Sequence, residues 1–306
     1  MDDIISEDQL KTNDSIPIKN VNEKQGDIVI SPQHQTNADS TCQNCVSYIE
    51  DSFVYSIGKI SFRFPTLSVE KEFQQIVGRT ESQNLTDHQL YFNILSDKQN
   101  LYLLRKLCWI FSVEGVETYL LVPRYLADLT LFSDSLREQP KQTDIDVIIG
   151  VKGSLAKPTM CNGLILPIVF VDQIYSFDID SLVKSIPKPK EFTAKEFVPV
   201  AEELFSRLVQ IADNSGSVDE HRALNYLAVR YPAVYHLTVN QYARDFTMTS
   251  VNAIQSRLSG SRKVLDIIFS FTNRSSDFNE KYFCRVDITE EFPFLVTKLT
   301  QYFDRI

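Results

Sequence analysis

The chain has 306 residues, of which 43% are hydrophobic, and its 20 Phe and 13 Tyr are sufficient for a sizeable aromatic core. Its formal net charge of −9 repels phosphate backbones and anionic lipid, so neither nucleic acid nor a membrane is expected as a partner. The first ten residues are acidic and lack the apolar stretch of a signal peptide. Five Cys is an odd number for a disulfide framework, and a reducing, cytoplasmic location is therefore expected.

The acidic residues are concentrated at the start of the chain. Residues 1–41 carry eight acidic and three basic residues, which leaves five net negative charges, and they contain no Phe, Tyr or Trp. Such a composition buries too little apolar surface to offset the entropy lost on ordering. Residues 1–46 are therefore predicted to be a disordered acidic leader, and residues 47–306 a single domain.

The predicted elements follow one another without a regular βαβ rhythm. Alternating β-forming residues predict strands, and apolar residues at helical spacing predict helices. The last strands form an antiparallel meander, so the predicted class is α+β, with a mixed, largely antiparallel sheet and packed helices. Strands are expected over residues 53–64, 117–122, 144–151, 164–171, 246–258, 263–272 and 281–288. Helices are expected over residues 68–77, 87–96, 97–110, 124–138, 194–212, 219–230 and 294–303.

Two groups of cysteine and histidine residues could carry chemistry. Cys42 and Cys45 form a CxxC pair, which provides half of a zinc site or a redox disulfide, and a flexible linker is the simpler interpretation. Cys161, in a predicted loop, and His221, at the start of a predicted helix, are candidate metal ligands or a nucleophile and its base. The simpler interpretation of His221 is a neutral histidine beside an acidic helix-capping cluster.

Acidic residues on the predicted strands offer a second candidate. Asp144 and Asp146 lie on one strand face and, with Asp172, Asp178 and Asp180, could form an acid pair or a magnesium site. Charges that protect an exposed strand edge are the favoured interpretation.

The remaining candidates are binding features. The small, basic stretch 259–263 could hold an anion through its backbone N–H groups, although a plain turn is the simpler interpretation. Tyrosines near residues 226–242, and Trp109 with Phe111, could line a peptide groove, and core packing explains most of them. The spacings of a phosphate loop, a dinucleotide-binding loop and a nucleophile elbow are absent from the sequence.

Several long strings resemble the domain of unknown function that ends the PatA and PatG cyanobactin maturation proteins. The resemblance extends over about residues 55–305 and implies a role in the maturation of ribosomally encoded cyclic peptides. The protease signature Gly-Thr-Ser-x-Ala is absent, so proteolysis and macrocyclisation are not implied. The strings are FRFPTLSVEKEF at 62–73, TDIDVIIGV at 143–151, MCNG at 160–163, DEHRALNYLAVRYP at 219–232 and KYFCRVDITEEFPF at 281–294.

Together these observations predict a non-catalytic accessory domain that binds a precursor peptide or a maturation enzyme, with homodimer formation left open. No catalytic or cofactor-binding residue is assigned. One alternative is a peptide-modifying enzyme that uses a metal, or Cys161 and His221. The other is a structural zinc domain, in which the same two residues are the candidate ligands.

Overall fold

The computed structural model describes residues 52–78, 85–210 and 213–303. The predicted boundary at residue 46, the acidic leader and the Cys42–Cys45 pair lie outside these residues. Within them, helices and two largely antiparallel sheets confirm the predicted α+β class. No helix in these three ranges has the length and apolarity that a membrane span requires.

Five strands close into a barrel in the order β1-β2-β3-β5-β4. Neighbouring strands are antiparallel, except that β3 and β5 are parallel. Closure leaves no full-length free edge, which accounts for the near-continuous burial of the first half of β4. The strands are β1 (Phe53–Arg63), β2 (Cys108–Val113), β3 (Val116–Pro123), β4 (Asp144–Leu155) and β5 (Pro167–Asp178).

Four further strands form an antiparallel meander in the order β6-β7-β8-β9. The predicted meander is confirmed, and a fourth strand extends it. The strands are β6 (Phe246–Gln255), β7 (Val264–Asn273), β8 (Asn279–Asp287) and β9 (Phe294–Tyr302).

Helices cover the barrel and fill the space between it and the second sheet. The first four contribute to a core around Trp109 and Phe132, and the last four to a core shared by the barrel and the inner face of the second sheet. The helices are α1 (Leu67–Val77), α2 (Asp87–Ser96), α3 (Leu101–Lys106), α4 (Leu129–Ser135), α5 (Ile179–Ser185), α6 (Ala194–Val209), α7 (Asp219–Arg230) and α8 (Pro232–Ala243).

Three predicted elements were wrong or too long. The helix expected over residues 97–110 ends at Lys106, and the aromatic, β-branched run that follows forms β2. The helix expected over residues 294–303 is β9, because its alternation of exposed and half-buried residues pairs with β8. The helix expected over residues 124–138 is confined to α4 and a preceding 3₁₀ turn.

A buried amide network joins α7 to the first half of β1. Over residues 53–58, β1 pairs only with β4 among the described strands, so no described strand lies along its other edge. Gly216 occupies that edge through its carbonyl, which accepts from the Tyr55 N–H at 2.9 Å. Asn225 donates to the Tyr55 carbonyl at 2.8 Å, and its own side-chain oxygen accepts from Asn214 at 2.8 Å. The backbone groups of Tyr55 are thereby paired without a strand.

The approach of the 213–217 loop to β1 requires glycine. Gly216 has φ +73°, and a Cβ there would lie 2.3 Å from the Tyr55 carbonyl oxygen. The Tyr119 hydroxyl, from β3, donates to the Ser215 carbonyl at 3.0 Å and holds the same loop from the barrel side. Substitution of Gly216 would therefore separate the loop from β1.

We predict that Asn225→Leu strongly destabilises the protein. Asn225 is fully buried, and its loss leaves the Tyr55 carbonyl and the Asn214 side-chain oxygen without the donor they now share, at roughly 1–3 kcal/mol for each group. Urea unfolding monitored by circular dichroism measures the change. The matched control is Asn93→Leu on the exposed side of α2, which should change stability by less than about 0.5 kcal/mol. If Asn225→Leu lowered the free energy of unfolding as little as Asn93→Leu does, the amide network would contribute little to stability.

Candidate functional site

Asp144 and Asp146 belong to a buried polar cluster. The Arg137 guanidinium lies 2.9 Å from Asp146 Oδ1 and 3.5 Å from Asp144 Oδ2. Asp146 also accepts from Ser176 Oγ and from the Ile60 N–H, both at 2.7 Å. The edge-charge interpretation of the two aspartates was wrong, because β4 is bonded to a strand on each side. Their oxygens are occupied by donors that fix α4 and β5 to the barrel.

Cys161 is paired with Cys108 in a disulfide, with the two Cα atoms 5.8 Å apart. The pairing departs from the expectation of reduced thiols. It arises because β2 and the β4–β5 loop meet in a small apolar cluster that also contains Ile110 and Leu120. Cys161 therefore offers no free thiolate in this structure.

His221 lies in the first turn of α7. Burial lowers the pKa of its imidazole, opposed by the nearby charges of Glu220 and Asp213, and its buried Nδ1 has no hydrogen-bond partner within the described part of the chain. The N-cap residue, Val218, makes no side-chain bond to the helix, so the acidic residues of this turn are not a cap. Among the described residues, no group of three or more His, Cys, Asp and Glu could hold a metal ion. The zinc and enzyme alternatives stay predictions.

Arg222, the next residue, is the most deeply buried charge on α7, at 3% exposed. Its Nη1 donates to the Ile288 carbonyl at 2.9 Å, and its Nη2 donates to the Glu290 carbonyl. The guanidinium carbon lies 5.2 Å from the centre of the Phe53 ring. Arg222 therefore fixes the β8–β9 connection to α7 and to the start of β1.

A small polar cavity, which we call the Arg222 cavity, opens beside this arginine. Its volume is about 120 Å³. The charged residues in its wall are Asp219, Arg222 and Lys263, and the rest of the wall is Phe53 and three hydroxyl side chains, those of Ser52, Ser217 and Thr289. It is too small for a peptide side chain with its backbone and matches a group of a few heavy atoms.

Glu291 and Asp172 form a carboxyl pair on the other side of Arg222. Burial and the hydrogen bond to Asp172 raise the pKa of Glu291 to about 7. Arg124 lies 2.8 Å from Asp172 and 3.7 Å from Glu291, which partly opposes the shift. The Glu291 carboxyl therefore keeps its proton to a higher pH than an exposed glutamate does.

The outer face of the second sheet is a separate surface. We define it as the side opposite the helices, with Phe283 and Arg285 on β8 at its centre. Among the described residues, α6–α8 pack against the opposite side and no helix or strand packs extensively across this one, although Asp266, Ile268, Ser270 and Asp287 on it are themselves buried. Its other members, from the strand pairing, are Ser250, Asn252 and Ile254 on β6, Asp266, Ile268 and Ser270 on β7, Lys281 and Asp287 on β8, and Phe294, Thr297, Thr300 and Tyr302 on β9.

Aromatic and guanidinium groups form two clusters on the outer face. The Phe283 and Tyr302 rings meet edge to face at 5.5 Å, and the Arg285 guanidinium lies 4.8 Å from the Phe283 ring centre. At one end, Arg262 lies 5.0 Å from the Phe294 ring, which is 45% exposed. Aromatic residues and Arg are the residue types enriched at binding interfaces.

The β9 edge next to this face is partly occupied by a tyrosine at the end of α7. The Tyr231 hydroxyl accepts from the Leu299 N–H at 2.8 Å. Of the tyrosines proposed to line a groove, Tyr231 thus bonds to a strand edge, while Tyr235 is core. The bond at Leu299 makes addition of a further strand along that part of β9 unfavourable.

The sequence analysis missed Phe283, Arg285 and Glu291. The outward position of Phe283 and Arg285 could be predicted from the sequence, because Lys281, Phe283 and Arg285 alternate with the core residues of β8. Glu291 has none, because its perturbation depends on a contact with a strand more than a hundred residues away in the chain.

Comparisons with known proteins agree with this description. The PatG C-terminal family model matches residues 191–302, which include α6–α8 and the second sheet. No curated protein matches the chain. A solved structure described as the PatG domain of unknown function is similar, with a TM-score of 0.67 and 15% sequence identity. The match covers 82% of this chain and 99% of that chain. The resemblance to the PatG C-terminal domain is thus confirmed, and the solved structure shows a shared fold.

We predict that Glu291→Gln removes part of the pH dependence of stability. The folded state favours the neutral carboxyl of Glu291. The contribution of this group to the free energy of unfolding is therefore complete below its ordinary pKa of 4.5 and is lost as the pH rises through about 7. Gln imitates the neutral group, so the variant should exceed the wild type in Tm at pH 8 and match it near pH 5. Calorimetric scans at both pH values measure this.

The control is Glu290→Gln, which removes the same charge from an exposed neighbour. It should leave the difference in Tm between the two pH values as in the wild type. A parallel response of both variants would assign the effect to net charge instead of the carboxyl pair.

Proposed function

We propose that this chain is a non-catalytic accessory domain in cyanobactin-type maturation of ribosomal peptides, and that the outer face of the second sheet binds the precursor peptide. The observation that carries the proposal is the cluster of Phe283, Tyr302 and Arg285 on a sheet face across which no described helix or strand packs extensively. The pathway is proposed from the similarity to the PatG C-terminal domain.

The shape of the face favours an extended segment as its ligand. A four-stranded sheet presents a shallow surface, and its side chains are spaced to contact alternate residues of a strand-like chain. Because Tyr231 bonds to the β9 edge at Leu299, the contact would be made through side chains on the face and not through strand addition.

The aromatic and guanidinium groups would supply most of the binding free energy. Phe283 is held from two sides by Tyr302 and Arg285, so little side-chain entropy would be lost on binding. Arg285 is itself fixed by Asp266, whose carboxylate lies 2.9 Å from Nε. A preorganised aromatic centre of this kind is typical of an interface hot spot.

The test is calorimetric titration of the protein with a linear cyanobactin-type precursor peptide. We expect saturable binding in the wild type and an affinity reduced about tenfold or more in Phe283→Ala, the usual loss for a central aromatic contact. Phe278→Ala is the matched control, since Phe278 is 60% exposed in the β7–β8 turn and away from the face. It should bind as the wild type does.

Two results would contradict the proposal. Absence of heat up to about 1 mM peptide, a limit near −4 kcal/mol, would exclude useful peptide affinity and direct attention to a partner enzyme. Binding that Phe283→Ala leaves unchanged would place the peptide elsewhere on the domain.

A further inference from the structure

The two outermost strands of the second sheet differ in how their free edges are protected. β9 carries Lys298, and the Tyr231 hydroxyl occupies its edge at Leu299. Lysine side chains and occupied backbone groups are common means of preventing a foreign strand from pairing with an edge. β6, at the opposite side of the sheet, lies in a run from Phe246 to Ser256 that contains neither a charged residue nor proline. The side-chain protection found on β9 is thus missing from β6.

The backbone groups on the outer edge of β6 follow from its pairing with β7. The Ser256 N–H donates to the Val264 carbonyl at 2.8 Å, so Ser256 directs its backbone groups towards β7. This direction alternates along an antiparallel strand, and Val251, Ala253 and Gln255 therefore direct their N–H and C=O groups away from β7. No described strand pairs with this edge. Three residues of β6 thus present both a donor and an acceptor to a further strand.

The open part of this edge is short and has defined ends. On one side, the pairing with β7 is shifted by a bulge between Met248 and Ser250, and the Met248 carbonyl accepts from Arg207 Nη1 at 2.8 Å. On the other side, β6 ends at Gln255, and Ser256 is buried. The open edge therefore covers residues 251–255 and is symmetric about Ala253.

This symmetry matches a second copy of the same strand. In an antiparallel pair centred on Ala253, this residue faces its own copy, and Val251 faces Gln255 of the second copy. Each such pair exchanges two backbone hydrogen bonds. Ile254, which is 45% exposed, becomes a diagonal neighbour of its own copy, roughly 7–8 Å away. Because like charges on facing strands are destabilising, self-pairing requires an uncharged strand, and β6 fulfils this requirement.

We propose that β6 pairs with β6 of a second copy of this chain, antiparallel and centred on Ala253, and that the resulting homodimer has one continuous sheet. The contact is isologous, since the same residues of both copies form it. It consists of a short backbone pairing and one apolar contact, and such a small interface gives a reversible dimer. The proposal does not rest on peptide binding by the outer face.

The first experiment is sedimentation velocity of the full chain from about 1 to 200 µM. We expect the mass to rise from that of one chain, 35.1 kDa, towards twice that value, with a dissociation constant on the order of 10 µM. Ala253→Pro removes the central donor, which faces away from β7, and should raise the dissociation constant about tenfold or more. Ala253→Val keeps this donor and should dimerise as the wild type does.

Ile254→Lys is the second variant, which keeps the test valid if proline disturbs β6. It leaves the backbone donors in place and puts a positive charge beside its own copy, so it should also weaken the dimer. Val116→Lys is the matched control, because Val116 is 68% exposed at the start of β3 in the barrel. This control and Phe283→Ala should dimerise as the wild type does, so failure of the peptide site is distinguishable from failure here.

Hydrogen–deuterium exchange over the same concentrations locates the contact. We expect exchange in residues 251–255 to slow as the protein concentration rises, and exchange in residues 294–302 to stay constant. A monomer at every concentration, wild-type affinity in both Ala253→Pro and Ile254→Lys, or an equal loss in Val116→Lys would each overturn the proposal. Slow exchange of residues 251–255 in the dilute monomer would also overturn it, because another part of the chain would then cover the edge.

Discussion

The fold depends on how the unpaired half-edge of β1 is satisfied. A strand within a barrel needs hydrogen-bond partners on both edges, and no described strand lies on one side of β1 over residues 53–58. Gly216 and the Asn225 amide take the place of that strand at Tyr55. These two hydrogen bonds hold α7 and the loop before it against the barrel. The core that α7 shares with the inner face of the second sheet connects the helix to that sheet as well. The same helix then fixes the β8–β9 connection through Arg222, so the outer face and the Arg222 cavity both depend on its placement.

Local patterns in the sequence were sufficient for most of the fold. The apolar spacing of α6 and the alternation of β7 and β8 each satisfy a local rule that tertiary packing also favours. Where a predicted helix was a strand, its apolar residues were spaced in a way that is compatible with both the helical and the strand period. In β9, Leu295 and Leu299 are spaced as on a helix, and the pairing with β8 decides for a strand.

The functional features were less accessible to sequence analysis because they arise from contacts distant in the chain. The Cys108–Cys161 disulfide, the raised pKa of Glu291 beside Asp172, and the meeting of Ser52 with Lys263 all require the folded topology. Arg222 lay within a string quoted for the family resemblance, yet only its burial and its unused N–H distinguish it from an ordinary helix arginine. Residue types that often carry chemistry, such as Cys, His and Asp, therefore indicated the candidate sites less well than burial and packing in the folded structure do.

The polar clusters predicted from the sequence are engaged within the fold. Arg137 pairs with both buried acids on β4, and Cys161 is in a disulfide. The aromatic outer face of the second sheet lies on regular strands, and it is the surface that we propose for peptide recognition.

Hydrogen–deuterium exchange of the full chain, with and without a linear precursor peptide, tests the central claim most directly. Binding on the outer face should slow amide exchange in β8 and β9, over residues 279–302, and leave β2 and β3 of the barrel unaffected. Protection confined to residues 108–123, or none at a saturating peptide concentration, would contradict the account.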